Sequence, residues 1–133
     1  MSEVLLDTVG LIATWDVRDQ WHGAADAAYQ QLVRQGRRLV TTPQVLLECG
    51  NAAARRPYRE RVNAVRQYLI QEQALVEPTA QEIEEAWNAY ARGDAAQAGI
   101  VDYVSFVVMR RLGILEAFTN DRHFEAAGFV TLL

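Results

Sequence analysis

Apolar residues in this chain fall into two kinds of run that alternate along its length. Short, mostly apolar runs at 4–6, 38–41, 74–77, 115–119 and 129–132 have strand length and read as strands buried on both faces. Segments with apolar residues every three or four positions lie between them, at 8–15, 21–35, 42–55, 59–72, 79–91 and 99–112, and read as helices. A short turn joins the last two strands. Right-handed crossovers between such strands stack helices on each side of a parallel sheet. The expected fold class is therefore α/β, a three-layer α/β/α sandwich with a short central parallel sheet of about five strands. Residue punctuation supports these boundaries. Gly36 and Gly113 close helices, Thr42 and Pro43 suit an N-cap and first helical position, and Thr79 with Glu82 makes a capping box.

Composition narrows the chemistry. All 13 basic residues among the 133 are arginine. Without lysine there is no Schiff-base enzyme and no P-loop, whose motif ends in a lysine beside the phosphates. The single cysteine, Cys49, permits no internal disulfide and lies in an apolar stretch, which suggests a core residue in a reducing cytoplasm. The start Met1-Ser2-Glu3 lacks the pattern of a signal peptide, and no run approaches the roughly 18 apolar residues that span a bilayer.

Four carboxylates stand in unusual company. Asp7 follows the first strand, between Val4-Leu5-Leu6 and Val9-Gly10-Leu11-Ile12. Glu48 lies within Val45-Leu46-Leu47-Glu48-Cys49-Gly50, Asp102 within an apolar helix, and Asp121 directly after the fourth strand. In a parallel sheet, ligands gather at the carboxyl ends of the strands, and all four acids map to that edge. Each has an ordinary alternative. Asp7 could cap a helix, Asp102 suits a first helical turn, Glu48 could pair with Arg55 or Arg56, and Asp121 could simply occupy a turn. Converging in a dry site they would repel, and a divalent cation relieves that repulsion. Oxygen ligands select Mg²⁺ or Mn²⁺ over zinc.

Several neighbours could support such a site. Asn51 and Ser105 lie one helical turn after Glu48 and Asp102, and Thr8 and Thr119 offer hydroxyls beside their acids, although local capping explains each equally well. Asp94 is a reserve acid in a loop. His22 and His123 lack metal-ligand spacing, and His123 is expected at the surface near the rim. Eight arginines and two acids between Arg34 and Arg66 give a local balance of +6, against −4 for the whole chain. Arg55, Arg56, Arg59 and Arg61 fit either a solvated face or a surface that tracks phosphates toward the acids.

The segments Leu6-Asp7-Thr8, Thr42-Pro43-Gln44-Val45-Leu46-Leu47-Glu48, Asp102-Tyr103-Val104-Ser105-Phe106 and Thr119-Asn120-Asp121-Arg122-His123-Phe124 resemble the PIN-domain family, in particular its VapC-like toxin ribonucleases. The resemblance spans the chain with the acids in the expected order. It implies one PIN-like nuclease domain over 1–133, with Asp7, Glu48, Asp102 and Asp121 as catalytic metal ligands. It also implies a homodimer, RNA as substrate, and often a small antitoxin encoded alongside. Val9 stands where many members carry serine or asparagine, and Val101 where threonine or serine is common. These departures leave the four acids intact but bear on rate and substrate choice.

Other classes fit less well. Receiver and haloacid-dehalogenase-like domains share the architecture but normally use a lysine near the acids, and the latter expects an aspartate where this chain has Val9. A non-catalytic PIN-like module that binds RNA or protein is the alternative to the ribonuclease.

Overall fold

A computed structural model describes residues 2–133. The elements are β1 (Glu3–Leu6), α1 (Thr8–Trp15), α2 (His22–Arg34), β2 (Arg38–Val40), α3 (Pro43–Ala53), α4 (Arg59–Gln71), α5 (Ala80–Arg92), α6 (Ile100–Leu112), β3 (Glu116–Phe118), α7 (Arg122–Ala126) and β4 (Val130–Thr131). The strands form one parallel sheet in the order β2-β1-β3-β4.

Strand residues alternate between two cores, as the period of two requires. Val4 and Leu6 of β1, Leu39 of β2 and Phe118 of β3 join one core with Leu11 and Trp15 of α1, Leu32 of α2 and Cys49 of α3. Leu5, Val40 and Ala117 face the other, with Ala86 of α5, Phe106 and Met109 of α6 and Phe124 of α7. Both sheet faces are covered, giving the expected sandwich.

Local chemistry sets the ends of the helices. Thr42 accepts a 3.2 Å hydrogen bond from the Val45 N–H with Pro43 in the first turn, and Thr79 and Glu82 form the full capping box. Gly113 closes α6 in the left-handed region at φ 69°. Gly10 answers a different need. A Cβ there would lie 2.1 Å from the Phe118 carbonyl oxygen, so α1 can rest on the end of β3 only without a side chain at this position.

The sheet has four strands rather than five. Residues 74–77 make one isolated bridge, Thr41 to Leu75, outside β2. Gln73, at φ 54°, turns the chain immediately before it, and Pro78 follows with no N–H to extend the ladder. The turn expected between β3 and β4 contains the short helix α7, capped by Asp121. No helix among the described residues is long and apolar enough to cross a membrane.

Candidate active site

Register brings the first polar residues after three strands to one edge. Leu6 pairs with Phe118, and Leu5 with Val40, so Asp7, Thr41 and Thr119 leave the sheet side by side. Thr41 Oγ1 donates to the Leu6 carbonyl at 2.6 Å, which ties that edge together. Asp7 occupies the N-cap position of α1 but makes no capping hydrogen bond. It is 1% exposed. Its Oδ2 accepts a 2.8 Å hydrogen bond from Thr119 Oγ1, while Oδ1 is buried with no partner.

Asp121 sits beside this pair. Its backbone N–H donates to Thr119 Oγ1 at 3.1 Å, and its Oδ1 accepts from the His123 N–H at 2.9 Å and lies 2.7 Å from His123 Nδ1. Asp121 is therefore a helix cap and also part of the cluster. Asp102, in the first turn of α6, completes it. One donor atom each from Asp102, Asp121 and His123 lie within 4.8 Å of one another. Asp7 and Glu48 stand around this group within the reach of its charges.

The charges of these acids act on one another. Burial pushes Asp7 up to about 7, with the Asp102 and Asp121 charges adding to it and the Thr119 hydrogen bond opposing it. Burial also pushes Asp102 up to about 6, helped by Asp121 and Glu48. Both carboxyls resist ionisation chiefly because they are buried, with neighbouring acid charges adding to it. The orphaned Asp7 oxygen and the crowded donors fit a hard divalent cation. Glu48 is exposed on α3, and among the described residues no arginine pairs with it.

The supporting residues divide. Thr119 touches both Asp7 and Asp121. Thr8 Oγ1 and Ser105 Oγ are buried without partners, as is Gln44 Oε1 in the first turn of α3, which the sequence pattern did not single out. Asn51 is exposed. Asp94 pairs with Arg92 at 2.8 Å on the surface and takes no part. His123 corrects the sequence expectation: it is half-buried against Asp121 rather than a plain rim residue. Its one sequence signal was its place in the first turn after Asp121. His22 Nδ1 lies 2.9 Å from the Ala13 carbonyl and is structural. Burial raises the Cys49 thiol to about 12, which rules it out as a nucleophile at neutral pH.

The four arginines lie on two segments. Arg55 and Arg56 occupy the exposed turn after α3, while Arg59 and Arg61 are exposed on α4. Arg59 lines an apolar groove of about 490 Å³ between α3 and α4, with Leu46, Leu47, Val62 and Arg66.

Known proteins are similar to this chain in sequence and fold. The PIN domain family model matches residues 4–130. The 23S rRNA-specific endonuclease VapC20 of Mycobacterium tuberculosis is 32% identical, covering 96% of this chain and 95% of its own. The crystal structure of that Mycobacterium tuberculosis protein, described as a sarcin-ricin loop cleaving toxin, superposes with TM-score 0.77 at 29% identity, covering 96% of both chains. The DNA-bound VapBC structure from Salmonella typhimurium, at TM-score 0.67 and 19% identity, covers 98% of this chain and 97% of that one, and shares the fold.

Proposed function

The chain belongs to the PIN-domain family, among its VapC-like members, and from that premise we propose that it is a Mg²⁺- or Mn²⁺-dependent endoribonuclease, the toxin of a toxin–antitoxin pair. The observation that carries this reading is Asp7, buried beside two other carboxylates with one oxygen unpartnered. An uncompensated buried carboxylate costs several kcal/mol, and a cation reverses that cost. Asp7, Asp102 and Asp121 would hold the ion, with the exposed Glu48, whose charge acts on Asp102, as a further ligand.

When bound, the ion supplies Lewis-acid stabilisation of the phosphoryl and leaving oxygens and a water ionised near neutral pH. The chain's own groups do the rest. Thr119 fixes Asp7, His123 fixes Asp121, and the exposed arginines Arg55, Arg56, Arg59 and Arg61 offer phosphate contacts. Large-subunit ribosomal RNA is the first substrate to test, because VapC20 is named for it. A small antitoxin partner, a homodimer and a cytoplasmic location belong to the same reading.

Cleavage mapping on total RNA tests it. The unsubstituted protein should cut at discrete positions in Mn²⁺ or Mg²⁺, and Asp102→Asn should not. An Asp102→Asn protein that cuts at the original rate sinks the assignment. Metal-independent RNA binding without cleavage would make the chain a binding module.

A further inference from the structure

The loop between α1 and α2 lies outside the acid centre, yet its own side chains hold its backbone in place. Asp16 Oδ1 accepts from the Arg18 N–H at 3.0 Å, and Asp19 Oδ1 accepts from the Trp21 N–H at 2.8 Å. The two acids that would offset Arg18 thus each commit an oxygen to the loop's own backbone. A loop fixed this way still displays apolar side chains: Val17 is 76% exposed and Trp21 41%. The Arg18 side chain is 67% exposed, and its one ion-pair contact is Asp16 at 3.7 Å, an exposed pair of little worth.

This loop is docked against the turn that carries Arg55 and Arg56. The Trp15 ring packs on Tyr58 with centroids 6.0 Å apart, and both share a core with Ala53. The charges of Asp16, Arg56 and Arg18 all act on the Tyr58 hydroxyl. Two segments distant in sequence therefore meet where Trp15 packs on Tyr58.

The distance to the acids follows from helix geometry. From Thr8, beside Asp7, to Trp15 is one length of α1, eight residues or about 12 Å. Arg55 lies in the turn that follows α3, two residues beyond its last residue, Ala53. The 16–21 loop thus follows the end of α1, the helix that starts beside Asp7, and the 54–58 turn follows the end of α3, the helix that carries Glu48.

We infer that the 16–21 loop and the 54–58 turn together form an RNA-holding ridge, in which Arg18, Arg55 and Arg56 grip phosphates and Trp21 stacks on an unpaired base. The inference rests on the ribonuclease reading and adds to it the residues of the α1–α2 loop. Guanidinium groups match phosphate geometry, and an exposed aromatic ring suits an unstacked base. Arg59 and Arg66, which face the apolar groove, fall outside the ridge.

Anisotropy of a fluorescein-labelled RNA hairpin, with Asp102→Asn present to keep the RNA intact, tests the ridge. Arg18→Ala with Arg56→Ala should weaken binding at least tenfold. The slope of log affinity against log salt should shallow by roughly 0.7–0.9 for each phosphate that is no longer neutralised. Trp21→Ala should weaken binding on the order of tenfold and Trp21→Phe should restore most of it. Arg34→Ala, on the last turn of α2, should change nothing. Arg18 is exposed, so its variant reports on the ridge even if Trp21→Ala unfolds the chain. Unchanged affinity and slope in the Arg18/Arg56 variant, with RNA cleavage intact when Asp102 is present, overturn the ridge and leave the ribonuclease standing. Failure of the unsubstituted protein to cut or bind any RNA overturns both. A loss of self-association with RNA binding intact would assign the loop to an interface between copies, and would also overturn the ridge.

Discussion

Thr119 Oγ1 bridges two acids that no local sequence relation connects, donating to Asp7 Oδ2 at 2.8 Å and accepting from the Asp121 backbone at 3.1 Å. Thr119→Val keeps the shape and deletes the donor. Both Asp7 oxygens then lack partners in a buried place. The metal-free protein should lose about 1–3 kcal/mol of unfolding free energy, measured by urea denaturation, and Thr119→Ser should lose little. Equal stability of the valine variant would show that the hydroxyl does not hold Asp7.

The raised carboxyls make stability depend on pH in a defined direction. Unfolded, Asp7 and Asp102 release protons near 3.8, whereas folded they hold them to about 7 and about 6. Between those values the folded state binds more protons, so stability falls as pH rises. The metal-free protein should lose melting temperature from about pH 4 to pH 7. Asp7→Asn should flatten that slope and melt higher than the unsubstituted protein at pH 8 in EDTA. Mn²⁺ at a hundredfold its dissociation constant should return about 2.7 kcal/mol to the unsubstituted protein. A slope of the opposite sign would mean these acids are not buried without compensation.

Gly10→Ala should be severe for its size. The added methyl collides with the Phe118 backbone at 2.1 Å and with its ring at 2.6 Å. Overpacking of this kind costs about 1–3 kcal/mol, and more where backbone must shift. Because α1 would be pushed off the end of β3, RNA cleavage should fall as well. Denaturation and cleavage assays on Gly10→Ala and on Gly23→Ala, where the added atom meets nothing within 4 Å, separate crowding from helix propensity.

His123→Ala removes the side chain that lies 2.7 Å from Asp121. Outer partners of metal-binding groups typically matter 10–100-fold in affinity. Calorimetric Mn²⁺ titration should show a loss of about that size, whereas Asp94→Asn, on the surface beside Arg92, should titrate like the unsubstituted protein.

Residues whose structure is decided nearby were readable from sequence. Thr42-Pro43 and the Thr79–Glu82 box set helix starts because their hydrogen bonds close within three residues. Asp7, Glu48 and Asp102 stood out because an acid among apolar residues signals a specific need, and Asp121 only by its place directly after a strand. What depended on long-range register was less readable. The bridge at Leu75 looked like a strand because its apolar run is identical to one, and only Gln73 and Pro78 stop it pairing further. The partition of the arginines was also invisible. Arg55 and Arg59 are four residues apart, yet one lies in the exposed turn that ends α3 and the other on α4, where it lines the groove.

The strand order has a consequence for how the centre comes into being. β1, which leads into Asp7, pairs on one side with β2 and on the other with β3, which is made more than a hundred residues later. Pairings that distant form late and slowly. An emerging chain can bury Leu5 against Val40 early, but it has no Thr119 to orient Asp7 and no Asp121 to crowd Asp102. The juxtaposition of Asp7, Thr119 and Asp121 is thus a property of the finished sheet alone.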